Sequence, residues 1–114
     1  MPRFLAEIQP LLAREYPQFD VVWFGHIGDG NLHVNVMKPL AMAKEAFFER
    51  THAADADIFS LVKRHQGSIS AEHGIGLVKK DFLSYSRTPE EIALMRAVKQ
   101  ALDPKGLLNP GKVL

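Results

Sequence analysis

The sequence contains no cysteine, so disulfides and thiolate metal sites are excluded. That lack agrees with a cytoplasmic location, which is the expectation. No apolar run approaches the ~20 residues of a membrane span, and the N-terminus lacks a secretory pattern. Neither sign of charge is in excess: 14 Lys and Arg stand against 13 Asp and Glu, for a net +1. Nothing therefore points to nucleic acid, an anionic membrane or a basic partner. Internal repeats and low-complexity segments are lacking too. What remains, 114 residues of which 46% are hydrophobic and 24% charged, is an ordinary composition for one globular domain with a modest core.

The organising stretch is Gly25-His26-Ile27-Gly28-Asp29-Gly30-Asn31-Leu32-His33-Val34-Asn35-Val36. Asp-Gly between two β-type runs signals a tight hairpin, because a type I′ turn needs positive φ at both central residues. With Asp29 and Gly30 at the centre, Gly28 faces Asn31, Ile27 faces Leu32, His26 faces His33 and Phe24 faces Asn35. Alternation sends His33 and Asn35 to one face, and Leu32, Val34 and Val36 to the other. Trp23 and Ile27 join the aliphatic face and His26 the polar one. The two imidazoles are then directly opposed, with Cβ atoms roughly 4.5–5.5 Å apart, close enough for two ring nitrogens to converge on one ion.

Around this hairpin, Met1 to Tyr16 reads as an amphipathic helix through Phe4, Leu5, Ile8, Leu11 and Leu12, kinked or split at Pro10 and closed by Pro17. A long helix from about Ala41 to Gln66 carries Phe47, Ala54, Ile58, Leu61 and His65 at helical spacing, and Gly67 stops it. His52 and His65 read as surface or helix-end residues. Ser68 to Glu72 reads as a short strand with Ile69 and Ala71 inward, running into the flexible Glu72-His73-Gly74-Ile75-Gly76. Leu77 to Ser86 is ambiguous between a short helix and a loop. Thr88-Pro89-Glu90-Glu91 is a helix start with a capping box, and Ile92, Met95, Val98 and Leu102 give that helix its stripe. Asp103-Pro104-Lys105-Gly106 ends it. The order helix, β-hairpin, long helix, short strand, C-terminal helices argues for an α+β fold. Three short strands make a thin sheet whose open edge invites pairing with another chain.

Two histidines supply two ligands, whereas a catalytic metal usually takes three from protein. Glu72 is the best third candidate, and a His/His/Glu set suits zinc, manganese or ferrous iron. His73 beside it could take a proton as general base. Equally open are a stacked histidine pair on a polar sheet face and Glu72 as an exposed acid. Asp29 is explained by its turn. The glycine cluster does not read as a phosphate loop, because it joins two strands rather than a strand and a helix.

Three stretches, Gly25 to Asn35, Gly67-Ser68-Ile69-Ser70-Ala71-Glu72-His73-Gly74-Ile75-Gly76 and Asp103-Pro104-Lys105-Gly106-Leu107-Leu108-Asn109-Pro110-Gly111-Lys112, resemble the C-terminal part of FAD-linked oxidases of the vanillyl-alcohol-oxidase type. Within that family the resemblance is strongest to the flavin D-2-hydroxyacid dehydrogenases acting on D-lactate, D-2-hydroxyglutarate or glycolate. The resemblance implies part of the antiparallel sheet of a ferredoxin-like cap domain, with His26, His33 and Glu72 as ligands of a divalent metal, zinc or manganese. It further implies that Asn35 contacts the substrate, that His73 accepts its proton, and that Asn109 lies against the flavin. The whole chain, 1–114, is then expected to be a C-terminal fragment lacking the FAD-binding domain. Alone it should be inactive, with a small 2-hydroxy acid as partner in the full-length protein and homodimerisation through the bare sheet edge. The residues themselves leave open a stand-alone metal-binding or assembly domain, and a metal-dependent hydrolase.

Overall fold

The computed structural model describes residues Met1–Leu114. Its elements are α1 (Pro2–Glu15), β1 (Asp20–His26), β2 (Asn31–Met37), α2 (Lys44–Arg64), a 3-10 helix (Lys80–Tyr85) and α3 (Pro89–Leu102), the expected α+β class. The chain divides into two compact units, Met1–Leu61 and Val62–Leu114, with the division inside α2.

In the first unit, Ile8 and Leu12 of α1 and Tyr16 at its C-cap recur every fourth residue and are buried. Pro10 does not divide the helix. Both Pro10 and Ala6 are exposed, so the carbonyl deprived of a partner by the proline can be hydrated. Beyond α1 the Tyr16 hydroxyl donates to Asp57 Oδ2 of α2 at 2.6 Å, and the Arg50 guanidinium lies 5.4 Å from the Tyr16 ring centre. Phe19 continues the cluster, edge-on to Phe47 at 5.5 Å. On α2, Ala54, Ile58 and Leu61 are buried as the periodicity requires, and Phe59 with them.

The hairpin forms, but its register differs by two residues from the expected one. Phe24 faces His33, His26 faces Asn31 and Val22 faces Asn35. Ile27 belongs to the loop, not to the aliphatic face, and is 81% exposed. The cause is Asp29, whose carboxylate accepts the Asn31 N–H at 3.1 Å. This local bond favours an Asx-type bend over the double positive φ of a type I′ turn. Only Gly30 in the loop has positive φ, at 74°, and four residues rather than two join the strands.

In the second unit, α2 ends in two bonds, Gln66 N–H to the Lys63 carbonyl and Gly67 N–H to the Val62 carbonyl. The left-handed residue is Gln66, with φ 54°, not Gly67. A Cβ at Gly67 would stand 3.1 Å from Val62 Cγ1, so a larger residue there would require the valine side chain to give way slightly. No strand forms at 68–72, so the sheet has two strands and not three. The serines supply the reason. Ser68 Oγ donates to the Ser70 carbonyl at 3.0 Å, and Ser86 Oγ accepts the Ile69 N–H at 2.8 Å, so the backbone finds side-chain partners instead of a ladder. Ile69 is buried as expected, but Ala71 is exposed. The ambiguous stretch resolves into the 3-10 helix, burying Phe82 and Leu83. The capping box is complete: Thr88 Oγ1 accepts from Glu91 N–H and Glu91 Oε2 from Thr88 N–H. The α3 stripe, by contrast, is only partly covered, with Val98 and Leu102 exposed.

Candidate functional site

On the hairpin, Asn31, His33 and Asn35 share a face with Val22, Phe24 and His26, since paired residues point the same way. The register shift of two preserves this face while changing the neighbours. His26 and His33 are diagonal rather than opposed, roughly 7–8 Å between backbones instead of about 5 Å. Phe24 takes the opposed place and stacks on the His33 ring, with centroids 4.6 Å apart and planes 5° from parallel. His26 Nδ1 lies 4.0 Å from Asp29 Oδ2 across the start of the loop. Asn35 is exposed, and His33 half-buried. Gly25 permits this geometry. With φ 154°, a Cβ at that position would come within 2.2 Å of the Asn31 carbonyl oxygen.

The aliphatic side of the hairpin serves a different purpose. Val21 and Trp23, with Leu12 and Ala13 of α1, line a cavity of about 450 Å³. None of the sequence-predicted site residues belongs to it.

In the second unit, Glu72 and His73 are adjacent and exposed, with Glu72 Oε1 4.0 Å from His73 Nε2. They sit on irregular backbone held from both sides. Ser70 Oγ donates to the Gly74 carbonyl at 2.7 Å, and Lys79 Nζ donates to the Ile69 carbonyl at 2.8 Å. Gly74 and Gly76 have φ of 77° and 57°, so the turn after His73 uses conformations that residues with a Cβ rarely adopt. Asn109 is exposed on the C-terminal tail and also has positive φ, at 46°.

That tail is organised by Asp103, which the sequence showed only as a helix end. Asp103 is 8% exposed. Its Oδ2 accepts Lys99 Nζ at 2.6 Å and Leu108 N–H at 2.9 Å, and its Oδ1 accepts Leu107 N–H at 2.9 Å. The Lys99 ammonium first, then the Leu108 N–H, hold the carboxyl down at about 2. The i,i+4 spacing of Lys99 and Asp103 was the available signal.

The family model for "FAD linked oxidases, C-terminal domain" matches residues 1–113. The chain belongs to that family. It is 52% identical over 113 residues to a D-2-hydroxyglutarate dehydrogenase of Stutzerimonas stutzeri, covering 99% of this chain and 24% of that protein. To the D-2-hydroxyglutarate dehydrogenase of Xanthomonas citri pv. viticola it is 58% identical over 113 residues, covering 99% of this chain and 24% of the relative. A mitochondrial D-2-hydroxyglutarate dehydrogenase of Danio rerio is 45% identical over 95 residues, 83% of this chain and 17% of that protein. The chain thus spans about a quarter of the length of its bacterial relatives. No helix is long and apolar enough to cross a membrane.

Proposed function

We propose that this chain is the C-terminal portion of an FAD-dependent oxidoreductase that oxidises a D-2-hydroxy acid and is inactive by itself. The observation that carries this reading is the family match over residues 1–113, which takes in all six candidate residues. The relatives' names favour D-2-hydroxyglutarate as substrate. Family membership also favours an oxidoreductase over the stand-alone domain and the hydrolase.

The residues present fit the two groups this reading requires. His26, His33 and Glu72 offer nitrogen and oxygen donors of the kind that hold zinc or manganese. Diagonal placement on one sheet face suits two imidazoles, since each ring carries its nitrogens well beyond Cβ. Stacking on Phe24 covers the flat face of His33, whereas a ligating nitrogen points outward in the ring plane, so the two roles are compatible. The Asn109 amide, exposed on a fixed tail, suits the polar edge of a flavin. When bound, the metal supplies Lewis-acid polarisation of the substrate hydroxyl and FAD supplies the hydride acceptor.

His73 then takes the hydroxyl proton onto its imidazole. Glu72 Oε1 lies 4.0 Å from its Nε2. Asn35 orients the substrate through its side-chain amide. Binding of FAD itself falls mainly to the region of the relatives that this chain does not cover. Each hairpin strand has a single strand neighbour, and a homodimer through an outer edge is part of the same proposal, to be read from size-exclusion mass.

Joining the chain to the upstream region of its parent protein tests the whole reading. Expected are FAD binding and D-2-hydroxyglutarate oxidation, with His73→Gln lowering kcat by about 10²-fold or more. A joined protein that binds FAD yet leaves D-2-hydroxyglutarate, D-lactate and glycolate untouched would overturn the substrate class. Metal analysis beside Glu72→Ala tests the ligand set, and equal metal content would remove Glu72 from it.

A further inference from the structure

We infer that Asp103 is a positioning residue: it fixes the C-terminal tail, and the tail in turn grips the turn that carries Glu72 and His73. The inference rests on the proposed role of His73 for its catalytic meaning, but its geometry stands independently. Asp103 gathers Leu107 N–H, Leu108 N–H and the Lys99 ammonium on one carboxylate. Lys99 Nζ donates in addition to the Leu108 carbonyl, closing a ring of contacts across the first residues of the tail. Gly106, with φ 63° and its N–H on the Asp103 carbonyl at 3.0 Å, makes the bend that brings the chain back.

From there the tail runs to two contacts with the segment after His73. Lys80 Nζ donates to the Gly111 carbonyl at 3.3 Å, and Val113 N–H donates to the Gly76 carbonyl at 2.8 Å. With Ser70 Oγ on the Gly74 carbonyl, the backbone bearing Glu72 and His73 is pinned on both sides. Val113 itself argues that the second pin is specified. It has φ 69°, a conformation costly for a β-branched residue, which persists only where surrounding contacts impose it.

The test uses backbone and histidine-ring NMR on the full 114-residue chain at one fixed pH. Asp103→Asn is expected to speed amide exchange at Leu107 and Leu108 by about tenfold or more, because a charge-assisted acceptor is lost. It should also shift the amides of Glu72 to Gly76 and the His73 ring signals. Ending the chain after Lys112 leaves Asp103 in place and should produce the same shifts around His73. Val113→Gly keeps the N–H donor without the conformational penalty and should leave His73 as it is. Thr88→Ala, which loosens α3 at its other end, should leave those signals unmoved. If either Asp103→Asn or the shortened chain leaves the His73 signals unmoved, the inference fails. In the joined protein, the same His73 shifts together with full activity of His73→Gln would sustain the positioning and reject the proposed proton transfer.

Discussion

In the first unit His26, His33 and Asn35 ride on a regular hairpin, whereas in the second Glu72, His73 and Asn109 sit on irregular backbone. The first unit fixes its frame by apolar periodicity: Ile8 and Leu12 on one helix with Tyr16 at its C-cap, Ala54, Ile58 and Leu61 on the next. In the second unit the frame depends on individual polar contacts, from Ser70, Ser86, Lys79, Lys80, Lys99 and Asp103. Charge follows the same division. Residues 1–61 hold five lysines and arginines against eight acids, and residues 62–114 hold nine against five. Many of those cations are spent on carbonyls of irregular chain. A frame of many small contacts degrades gradually on mutation, while one of few directed contacts fails at single side chains.

The largest expected effect breaks the apolar frame. Ile8→Ala, at a side chain with 0% exposure, should cost about 2–5 kcal/mol in urea denaturation followed by Trp23 fluorescence. A loss below about 1 kcal/mol would show that α1 contributes less packing than its burial suggests. Next, Gly25→Ala places a Cβ against the Asn31 carbonyl and should cost about 2–4 kcal/mol. Cross-strand NOEs between Phe24 and His33 should vanish with it; their persistence would refute the close approach.

The two units should also respond to opposite ends of the pH scale. Burial, followed by the Asp57 contact, pushes the Tyr16 hydroxyl up to about 12. Its folded value is thus above its unfolded one, and the stabilisation it brings is complete below about 10 and lost as pH rises through about 12. Asp103, held down at about 2, behaves in the reverse sense. Its contribution is complete above about 4 and disappears as pH falls through about 2. Ultraviolet titration of Tyr16 and amide exchange at Leu107 and Leu108 read the two separately. The smallest effect is Thr88→Ala, about 1 kcal/mol, from loss of the Glu91 N–H acceptor. Its thermal midpoint should fall only slightly.

Where a pattern repeats, the residues alone were informative. Helical spacing located α1, α2 and α3, and alternation put His26, His33 and Asn35 on one face although the actual register lies two residues from the expected one. A shift of two residues is invisible to a period of two. The strand expected at 68–72 failed for the opposite reason: alternation was present, but Ser68, Ser70 and Ser86 took up the backbone bonds. Asp103 read as a helix end because two of its three donors, the Leu107 and Leu108 N–H groups, reach it only through the bend at Gly106, while the third, Lys99, was legible at i,i+4 spacing.

Sequence by itself determined the fold class, the helices, the polar face of the hairpin and the family, because each is written in local periodicity or in contiguous motifs. Tertiary structure alone decided that Phe24 and not His26 stands across from His33, that the serine segment is no strand, and that Asp103 organises the tail. These depend on which of several chemically equivalent partners lies within hydrogen-bond or stacking distance. Such proximity exists only once the chain has closed on itself.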